Sequence, residues 1–441
     1  MVAAAQAGSS LSWPGRALAL LVLLVGASRG ARANGAFPDE FSVHFPPGAP
    51  HKILIGANFG LLASEDDGAT WRYTCEPWIV ASSNAAVNPE SSVLFYQVTA
   101  NGILLADAVN VTRSADQACT WPVAGGLSSQ VITDIFASPA DANVIFAIIA
   151  IANGSYIVAS HDGGSTFDAS HLYDTSDNLT GIEAARSQPA VVYATSVSTT
   201  SGGTGKLLQS TQSGAPGTWT EHAIPAPAGT QPRILAVDPA DEKTVYVRLL
   251  AGVTDAIAIT TDGGQSFTTA LSINGQFTSF LRATDGSLYA GTSTGQLYVR
   301  PAGAAAFLDQ PRAAPHLRCL GQRFGEPKRI YACANFAVDG YSLYSTDDGG
   351  QTFTPVMKFT DLQGPLTCSA VSTNCAAHWE RIKGVLGIGA VSDAGQGGGG
   401  GSGGGGTGGG SHCASLGPDA IALLVLLGFA SRARSKRFGA R

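Results

Sequence analysis

Charged residues are scarce in this 441-residue sequence: only 13% are Asp, Glu, Lys or Arg, and the formal net charge is −6. The 26 Lys and Arg residues form no basic face before the last ten positions. A protein that binds nucleic acid needs such a face to neutralise phosphates. The composition therefore excludes nucleic acid as a partner, and the mild acidity is that of an ordinary soluble protein.

The sequence also lacks the patterns that hold cofactors. No glycine-rich loop follows a strand and opens a helix, as nucleotide binding requires. His161, His171 and His222 lie in turns or loops without the spacing of metal ligands. The turn aspartates Asp162 and Asp262 lack the alternating acidic neighbours of a calcium loop. We therefore expect no cofactor and no metal.

The first apolar run is too short to cross a membrane. Arg16 precedes an apolar stretch over residues 17–25, and Ala31-Arg32-Ala33 is a small-x-small cleavage site. The pattern predicts a signal peptide over residues 1–33 and a mature chain that starts near Asn34 in an oxidising compartment.

Seven cysteines fit such a compartment, with Cys413 left as the odd one. Proximity in the sequence favours one bridge across a hairpin, one around a small loop, and a third by what remains. Six cysteines allow fifteen connectivities, so this pairing is one among many. The favoured pairs are Cys319–Cys333, Cys368–Cys375 and Cys75–Cys119.

An eight-residue turn segment recurs through the chain. Its clearest copy reads Ser160-His161-Asp162-Gly163-Gly164-Ser165-Thr166-Phe167. The Asp carboxylate can accept hydrogen bonds from its own turn, and Gly tolerates a positive φ. The closing aromatic side chain can anchor a hairpin in a core. We call this segment the box; its aspartates are Asp66, Asp116, Asp162, Asp262 and Asp348.

The boxes recur along a series of seven units of four short strands each. The copy that contains Asp116 has Ala118 where Gly is expected, the fourth unit lacks the Asp, and the sixth has only residues 301–307 in place of a box. In the second unit we predict strands at residues 78–80, 93–96 and 103–106, before the box. The closing aromatics are 40 to 52 residues apart, at Trp71, Trp121, Phe167, Trp219, Phe267, Phe307 and Phe353. Seven such units predict an all-β fold, a seven-bladed β-propeller of four-stranded antiparallel blades over residues 34–365.

The box resembles the Asp-box, or BNR, repeat shared by sialidases, xyloglucanase-type glycoside hydrolases, sortilin-type receptors and photosystem-assembly factors. The resemblance covers Phe41 to about Val356. It implies that each box is the hairpin between the third and fourth strands, on the face away from the usual ligand site. It implies a fold and hardly any activity.

A glycoside hydrolase of this fold would need paired carboxylates near the central channel. The innermost strands of two adjacent units offer Asp134 and Glu183, which are our catalytic candidates; the alternative is that both simply bind channel water. A sialidase would need an Arg-Ile-Pro element in the first unit, and only Phe45-Pro46-Pro47 stands there. We therefore exclude a sialidase.

Beyond the propeller the sequence pattern changes. We predict a disulfide loop and a capping helix over residues 366–391, with Trp379, Ile382 and Leu386 on one helix face. A Gly-rich linker follows over 392–412. Residues 413–441 combine Cys413, a short apolar stretch and a basic end, which is a membrane-stop layout. This tail resembles the myxosortase-type sorting signals of myxobacterial surface proteins. The resemblance implies cleavage by a membrane peptidase and possible lipid modification at Cys413; a simple membrane tail anchor is the alternative.

Two functions fit these features. The first is an exported propeller, tethered to the cell surface or outer membrane, that binds a protein, peptide or glycan on its upper face without catalysis. The second is a glycoside hydrolase that acts on extracellular polysaccharide with the pair Asp134 and Glu183.

Overall fold

A computed structural model describes residues 40–80, 95–107, 110–127, 130–200 and 203–389. The predicted signal peptide, the Gly-rich linker and the tail with Cys413 lie outside these residues. The described segments belong to one compact unit. None of their helices is long and apolar enough to cross a membrane.

The described residues form seven antiparallel blades, which confirms the predicted seven-bladed β-propeller. The first strand of a blade contacts the first strand of a neighbouring blade, so these strands lie at the centre of the ring. Blades 1 to 4 consist of β1 (Glu40–His44), β2 (Ile53–Ala57), β3 (Gly60–Ser64) and β4 (Trp71–Cys75); β5 (Phe95–Thr99), β6 (Gly102–Ala106) and β7 (Val111–Ser114); β8 (Val131–Ala137), β9 (Ile145–Ile151), β10 (Gly154–Ser160) and β11 (Tyr173–Thr175); and β12 (Asn178–Ala184), β13 (Val192–Val197), β14 (Gly205–Ser210) and β15 (Trp219–Ala223).

Blades 5 to 7 follow the same order. They consist of β16 (Gln231–Val237), β17 (Val245–Ala251), β18 (Thr254–Thr260) and β19 (Thr268–Asn274); β20 (Phe277–Arg282), β21 (Leu288–Thr292), β22 (Gln296–Arg300) and β23 (Arg312–Ala313); and β24 (Leu317–Gln322), β25 (Ile330–Ala334), β26 (Leu343–Thr346) and β27 (Thr354–Met357). A last strand, β28 (Leu362–Pro365), pairs in parallel with β4 and gives blade 1 a fifth strand.

Short helices connect and cap the blades. They are α1 (Glu76–Val80), α2 (Phe336–Asp339), a 3₁₀ turn (Phe359–Asp361), α3 (Ser369–Asn374) and α4 (Ala376–Val385). The predicted capping helix is therefore present as α4, with Ile382 and Leu386 buried.

The hydrophobic core is distributed between blades. Seven clusters of buried side chains are present among the described residues, and each is shared by two consecutive blades. The largest joins blade 7, blade 1 and the C-terminal segment through residues such as Tyr331, Tyr73 and Ile382. Because a blade cannot bury both faces alone, its sequence carries apolar residues on both faces of its inner strands.

The second blade departs from the prediction. Residues 78–80, predicted as a strand, lie in α1, where Pro77 is tolerated because it falls in the first helical turn. The strands near residues 93–96 and 103–106 are the first and second of the blade, and the third, Val111–Ser114, is one that we did not predict. Its fourth position is reduced, within the described residues, to a bridge between Thr112 and Val123.

The box hairpins connect third and fourth strands at one end of the ring, which we call the box face. In the third blade the Ser160 hydroxyl donates to Asp162 Oδ1 at 2.8 Å, and the Gly164 N–H donates to Ser160 Oγ at 2.9 Å. Thr166 donates to both Asp162 oxygens, at 2.9 Å from its N–H and 2.7 Å from its hydroxyl. Equivalent bonds to the aspartate surround Asp66, Asp116, Asp262 and Asp348.

The degraded boxes keep this backbone shape without glycine. Asp67, Gln117 and Ser213 take the place of Gly163 and have φ of 58°, 61° and 55°. Ala118 stands at the position of Gly164 with a φ of 73°. The turn is therefore held by its hydrogen bonds even where an L-residue costs about 1–2 kcal/mol in this conformation.

Candidate functional site

The two carboxylates predicted from the sequence lie on the first strands of blades 3 and 4. The Ile182 N–H donates to Asp134 Oδ2 at 3.1 Å. The Val237 N–H donates to Glu183 Oε2 at 2.8 Å. Each carboxylate thus accepts a hydrogen bond from the backbone of the next blade.

Arg233 on the first strand of blade 5 completes the group, which we call the channel cluster. Its guanidinium Nη2 lies 3.2 Å from Asp134 Oδ1, so the ion pair passes over blade 4 to reach blade 3. Gly181 of blade 4 packs closely against the first strand of blade 5, because a Cβ there would lie 3.3 Å from the Ile234 nitrogen and 3.4 Å from Arg233 Cγ. The sequence analysis missed Arg233; an Arg on a first strand beside two acidic first strands was the available signal.

Burial governs the protonation of the channel cluster. Burial raises the pKa of Glu183 to about 7, and the charge of Asp134 adds to this, against the Val237 N–H and Arg233, which lower it. Burial also raises the pKa of Asp134, although Arg233 and the Ile182 N–H oppose the shift. The Asp134 side chain is only 14% exposed, whereas Arg233 is 44% exposed and faces solvent. A carboxyl whose pKa is raised to about 7 is the kind of group that a general acid requires.

The channel cluster continues a chain of polar links around the ring. Each link joins a side chain in one first strand, or just after it, to the adjacent blade. The further links are Gln97 to the Ala137 N–H at 3.3 Å, Asp238 to Arg282 at 2.8 Å, Gln322 to the Thr284 N–H at 2.7 Å, and Arg323 to Asp67 at 2.6 Å. By the pairing register, Glu183 lies at the same level of its blade as Gln97, whereas Asp134 lies at the level of Gly181 and Arg233. The hydrogen bonds of both carboxylates join adjacent blades.

Of the histidines that the sequence analysis considered, His161 and His171 are exposed and His222 is half-buried. His171 stacks on Tyr156 with ring centroids 3.8 Å apart, and its Nδ1 lies 2.7 Å from Asp174. His161 is 3.9 Å from Asp168. Within the described residues no three His, Cys, Asp or Glu side chains come together as a metal site would require.

Two of the three predicted disulfides are wrong. The structure contains Cys319–Cys333 as predicted, but Cys75 bonds to Cys375, and Cys119 bonds to Cys368. A Cys368–Cys375 bridge is not formed because residues 369–374 form α3. A helix places residues seven apart about 10 Å from each other, beyond the reach of a disulfide. The C-terminal segment is therefore bonded to blades 1 and 2.

The opposite end of the ring from the boxes carries exposed apolar side chains. Ile151, Val253 and Val338 are 49%, 80% and 59% exposed. They lie at the connections between second and third strands of blades 3, 5 and 7, which place them all on one face. We call it the upper face.

The comparisons with known proteins concern the fold class alone. No protein-family model matches the chain, and no curated protein matches its sequence. It is similar to the solved structure of YCF48 from Cyanidioschyzon merolae at 14% identity and a TM-score of 0.46, over 70% of this chain and 94% of that one. It is similar to the extracellular domain of the hybrid two-component system BT4673 from B. thetaiotaomicron at 12% identity and 0.44, over 71% and 37%. The GH74 xyloglucanase from Xanthomonas campestris gives 12% identity and 0.35, over 74% and 80%.

Proposed function

We propose that this chain is an exported, membrane-tethered β-propeller that binds a protein, peptide or glycan on its upper face without catalysis. The observation that carries the proposal is the engagement of the acidic pair. Both oxygens of Asp134 are occupied, one by the Ile182 N–H and one by Arg233. A nucleophile or general base needs a lone pair aimed at substrate, whereas both oxygens of Asp134 already accept from neighbouring blades.

The upper face supports binding. Ile151, Val253 and Val338 stand exposed on three separate blades, so a ligand that bridges them would bury apolar surface over a wide area. The connections that carry them vary in length and rest on rigid strands, which is the usual arrangement of a binding surface.

The test is a binding screen with matched variants. The exported chain is captured on a surface and probed with a glycan array and a peptide library. Combined Ile151→Asp, Val253→Asp and Val338→Asp substitutions should weaken any specific ligand at least about tenfold, because desolvating three charges opposes contact. The control is Phe324→Asp, which changes a side chain that is 82% exposed on the box face. Equal loss in both variants would contradict an upper-face site.

A glycoside hydrolase is the second candidate, and one observation favours it. The raised pKa of Glu183, about 7, is that of a group able to donate a proton at neutral pH. A polysaccharide panel is assayed for released reducing ends with the natural chain and with Asp134→Asn combined with Glu183→Gln. Hydrolysis that the double variant abolishes would overturn the binding-only function. Hydrolysis that it retains would remove this pair from the mechanism.

We also propose that the propeller is attached to the membrane through residues 392–441. Cell fractionation should place the full chain with membranes. Deletion of residues 413–441 should release the chain into the medium. If a sorting peptidase cuts near Cys413, Cys413→Ser should keep its intact tail, so its mass should exceed that of the natural chain after export. Equal masses of the natural chain and Cys413→Ser would favour a plain tail anchor.

A further inference from the structure

The C-terminal segment over residues 359–389 fastens the ring, and we call it the strap. Strand β28 pairs with the outer strand of blade 1, and Arg72 Nη1 donates to the Pro365 carbonyl at 3.1 Å. In α4, Ile382 is fully buried in the cluster that joins blades 7 and 1. The strap therefore covers the place where the last blade meets the first.

Two disulfides hold the strap, and their environments differ. In the inner bridge, Cys75 is 1% exposed and Cys375 is 0% exposed. The Cys75 N–H also donates to Cys375 Sγ at 3.1 Å. In the outer bridge, Cys119 and Cys368 are both partly exposed. Cys119 lies within the box turn of blade 2, and Cys368 immediately precedes α3, so both are at the surface.

The two bridges also hold different parts. The inner bridge joins the end of β4 to the start of α4. The outer bridge joins blade 2 to the residue between β28 and α3. Opening the outer bridge would release α3 from blade 2 while the inner bridge still joined blade 1 to α4.

We propose that the attachment of the strap to the ring is redox-sensitive and that the outer bridge is reduced before the inner one. A dithiol attacks one sulfur of Cys119–Cys368, forms a mixed disulfide, and then closes on itself; the dithiol is oxidised by two electrons and both cysteines leave as thiols. The rate of this exchange depends on access to the sulfur, and among the three described disulfides only the outer bridge joins two cysteines that are both partly exposed.

The release reshapes a groove at the rim. A groove of about 570 Å³ lies beside the outer bridge, lined by Arg72, Leu366, Thr367, Ser372, Trp379 and Glu380. Thr367 precedes Cys368 and Ser372 lies in the helix α3 that follows it. The Trp379 ring, four residues after Cys375 of the inner bridge, lies 5.6 Å from the Tyr73 ring. One wall of the groove thus moves with the outer bridge, and the other stays with the ring.

The experiment reduces the full chain under native conditions. The protein is titrated with dithiothreitol, sampled over time, alkylated and mapped by peptide mass spectrometry. Cys119 and Cys368 should be labelled at least about tenfold faster than Cys75, Cys375, Cys319 and Cys333, because access sets the rate. Hydrogen exchange should rise over residues 366–374 and stay unchanged in β2 and β3. Labelling of all six cysteines together would overturn the proposal, since it reports global unfolding.

A variant without the outer bridge tests the effect of opening that bridge when no reductant is present. Cys119→Ser with Cys368→Ser should show the raised exchange over residues 366–374 with no dithiol present. The control, Cys319→Ser with Cys333→Ser, should keep the natural exchange pattern in the strap. A Cys119/Cys368 variant whose strap exchanges like the natural chain would overturn the proposal, because the outer bridge would then hold nothing. If this variant fails to fold, the labelling order of the natural chain still decides.

Discussion

Replacement of Glu183 by Gln tests how the channel cluster is charged. Gln keeps an oxygen that can accept from the Val237 N–H and removes the titrating group. In the folded chain burial raises the pKa of Glu183 to about 7 from its ordinary 4.5. The folded state therefore binds a proton more tightly than the unfolded state, and the carboxyl lowers the stability as the pH rises from about 4.5 to about 7.

The magnitude follows from the shift. A difference of about 2.5 pH units corresponds to about 3 kcal/mol between the protonated and ionised forms. We expect the free energy of unfolding of Glu183→Gln, relative to that of the natural chain, to increase by up to about 3 kcal/mol between pH 4.5 and pH 8. Asp134 contributes in the same direction in both chains, since burial also raises its pKa.

Urea unfolding followed by tryptophan fluorescence, at pH 4.5, 6 and 8, measures the difference. The control is Glu380→Gln, which removes an exposed carboxylate on α4. A stability difference between Glu183→Gln and the natural chain that stays flat over this pH range would refute the reasoning. It would mean that Glu183 is well solvated, and the case for an acid at this position would fall with it.

Three further predictions concern the frame that holds the site. Cys75→Ser with Cys375→Ser should lower the free energy of unfolding by about 4 kcal/mol in urea without reductant, because the inner bridge closes a loop of about 50 residues while Cys119–Cys368 is in place. Cys319→Ser with Cys333→Ser should lower it by about 3 kcal/mol, because these partners are only 14 residues apart. The reverse order would contradict the loop argument. Gly164→Ala should lower the thermal midpoint well below that of Gly217→Ala: both have positive φ, of 84° and 76°, but a Cβ at Gly164 would meet Leu104 Cδ2 at 2.1 Å whereas Gly217 faces open space. Equal losses would show that conformation alone decides. Asp162→Ala should lower the free energy of unfolding by about 1–2 kcal/mol at pH 7. Partial burial opposes the shift, but the bonds from Thr166 and Ser160 lower the pKa of Asp162 to about 2, so its contribution is present above pH 4 and lost as the pH falls toward 2. A loss of stability that persists at pH 2 in an acid titration of both chains would contradict the role of the carboxylate.

Local features made most of the fold predictable. The strands alternate with a period of two, and the box repeats its hydrogen-bonding residues within eight positions, so both can be read from short stretches. The prediction of a strand at residues 78–80 was wrong because three consecutive apolar residues show no periodicity that distinguishes a strand from a helix. Val111–Ser114 was missed because it is short and half polar. Ala118 and Gln117 could be placed in a box only by the register of their neighbours.

The candidate site could be predicted only in part. Asp134 and Glu183 stood out because carboxylates on first strands are few, and the equivalence of the strands placed them in adjacent blades. The hydrogen-bond and ion-pair partners of these carboxylates could not be predicted from the sequence. Arg233 is 99 residues from Asp134, and the Ile182 and Val237 N–H groups carry no side-chain signal at all. Whether the pair is a reactive site or a blade contact depends on those partners.

The amino-acid sequence by itself determined the number of blades and the turn chemistry of the boxes, because both follow from the local spacing of residues. Only the tertiary structure decided how the ring is fastened. Cys75 and Cys375 are 300 residues apart, and Cys119 and Cys368 are 249 apart. Such pairs meet only after all seven blades have packed and the last strand has returned to the first blade. The tertiary structure also decided the state of Glu183, since the burial that raises its pKa comes from neighbouring blades and not from its own strand.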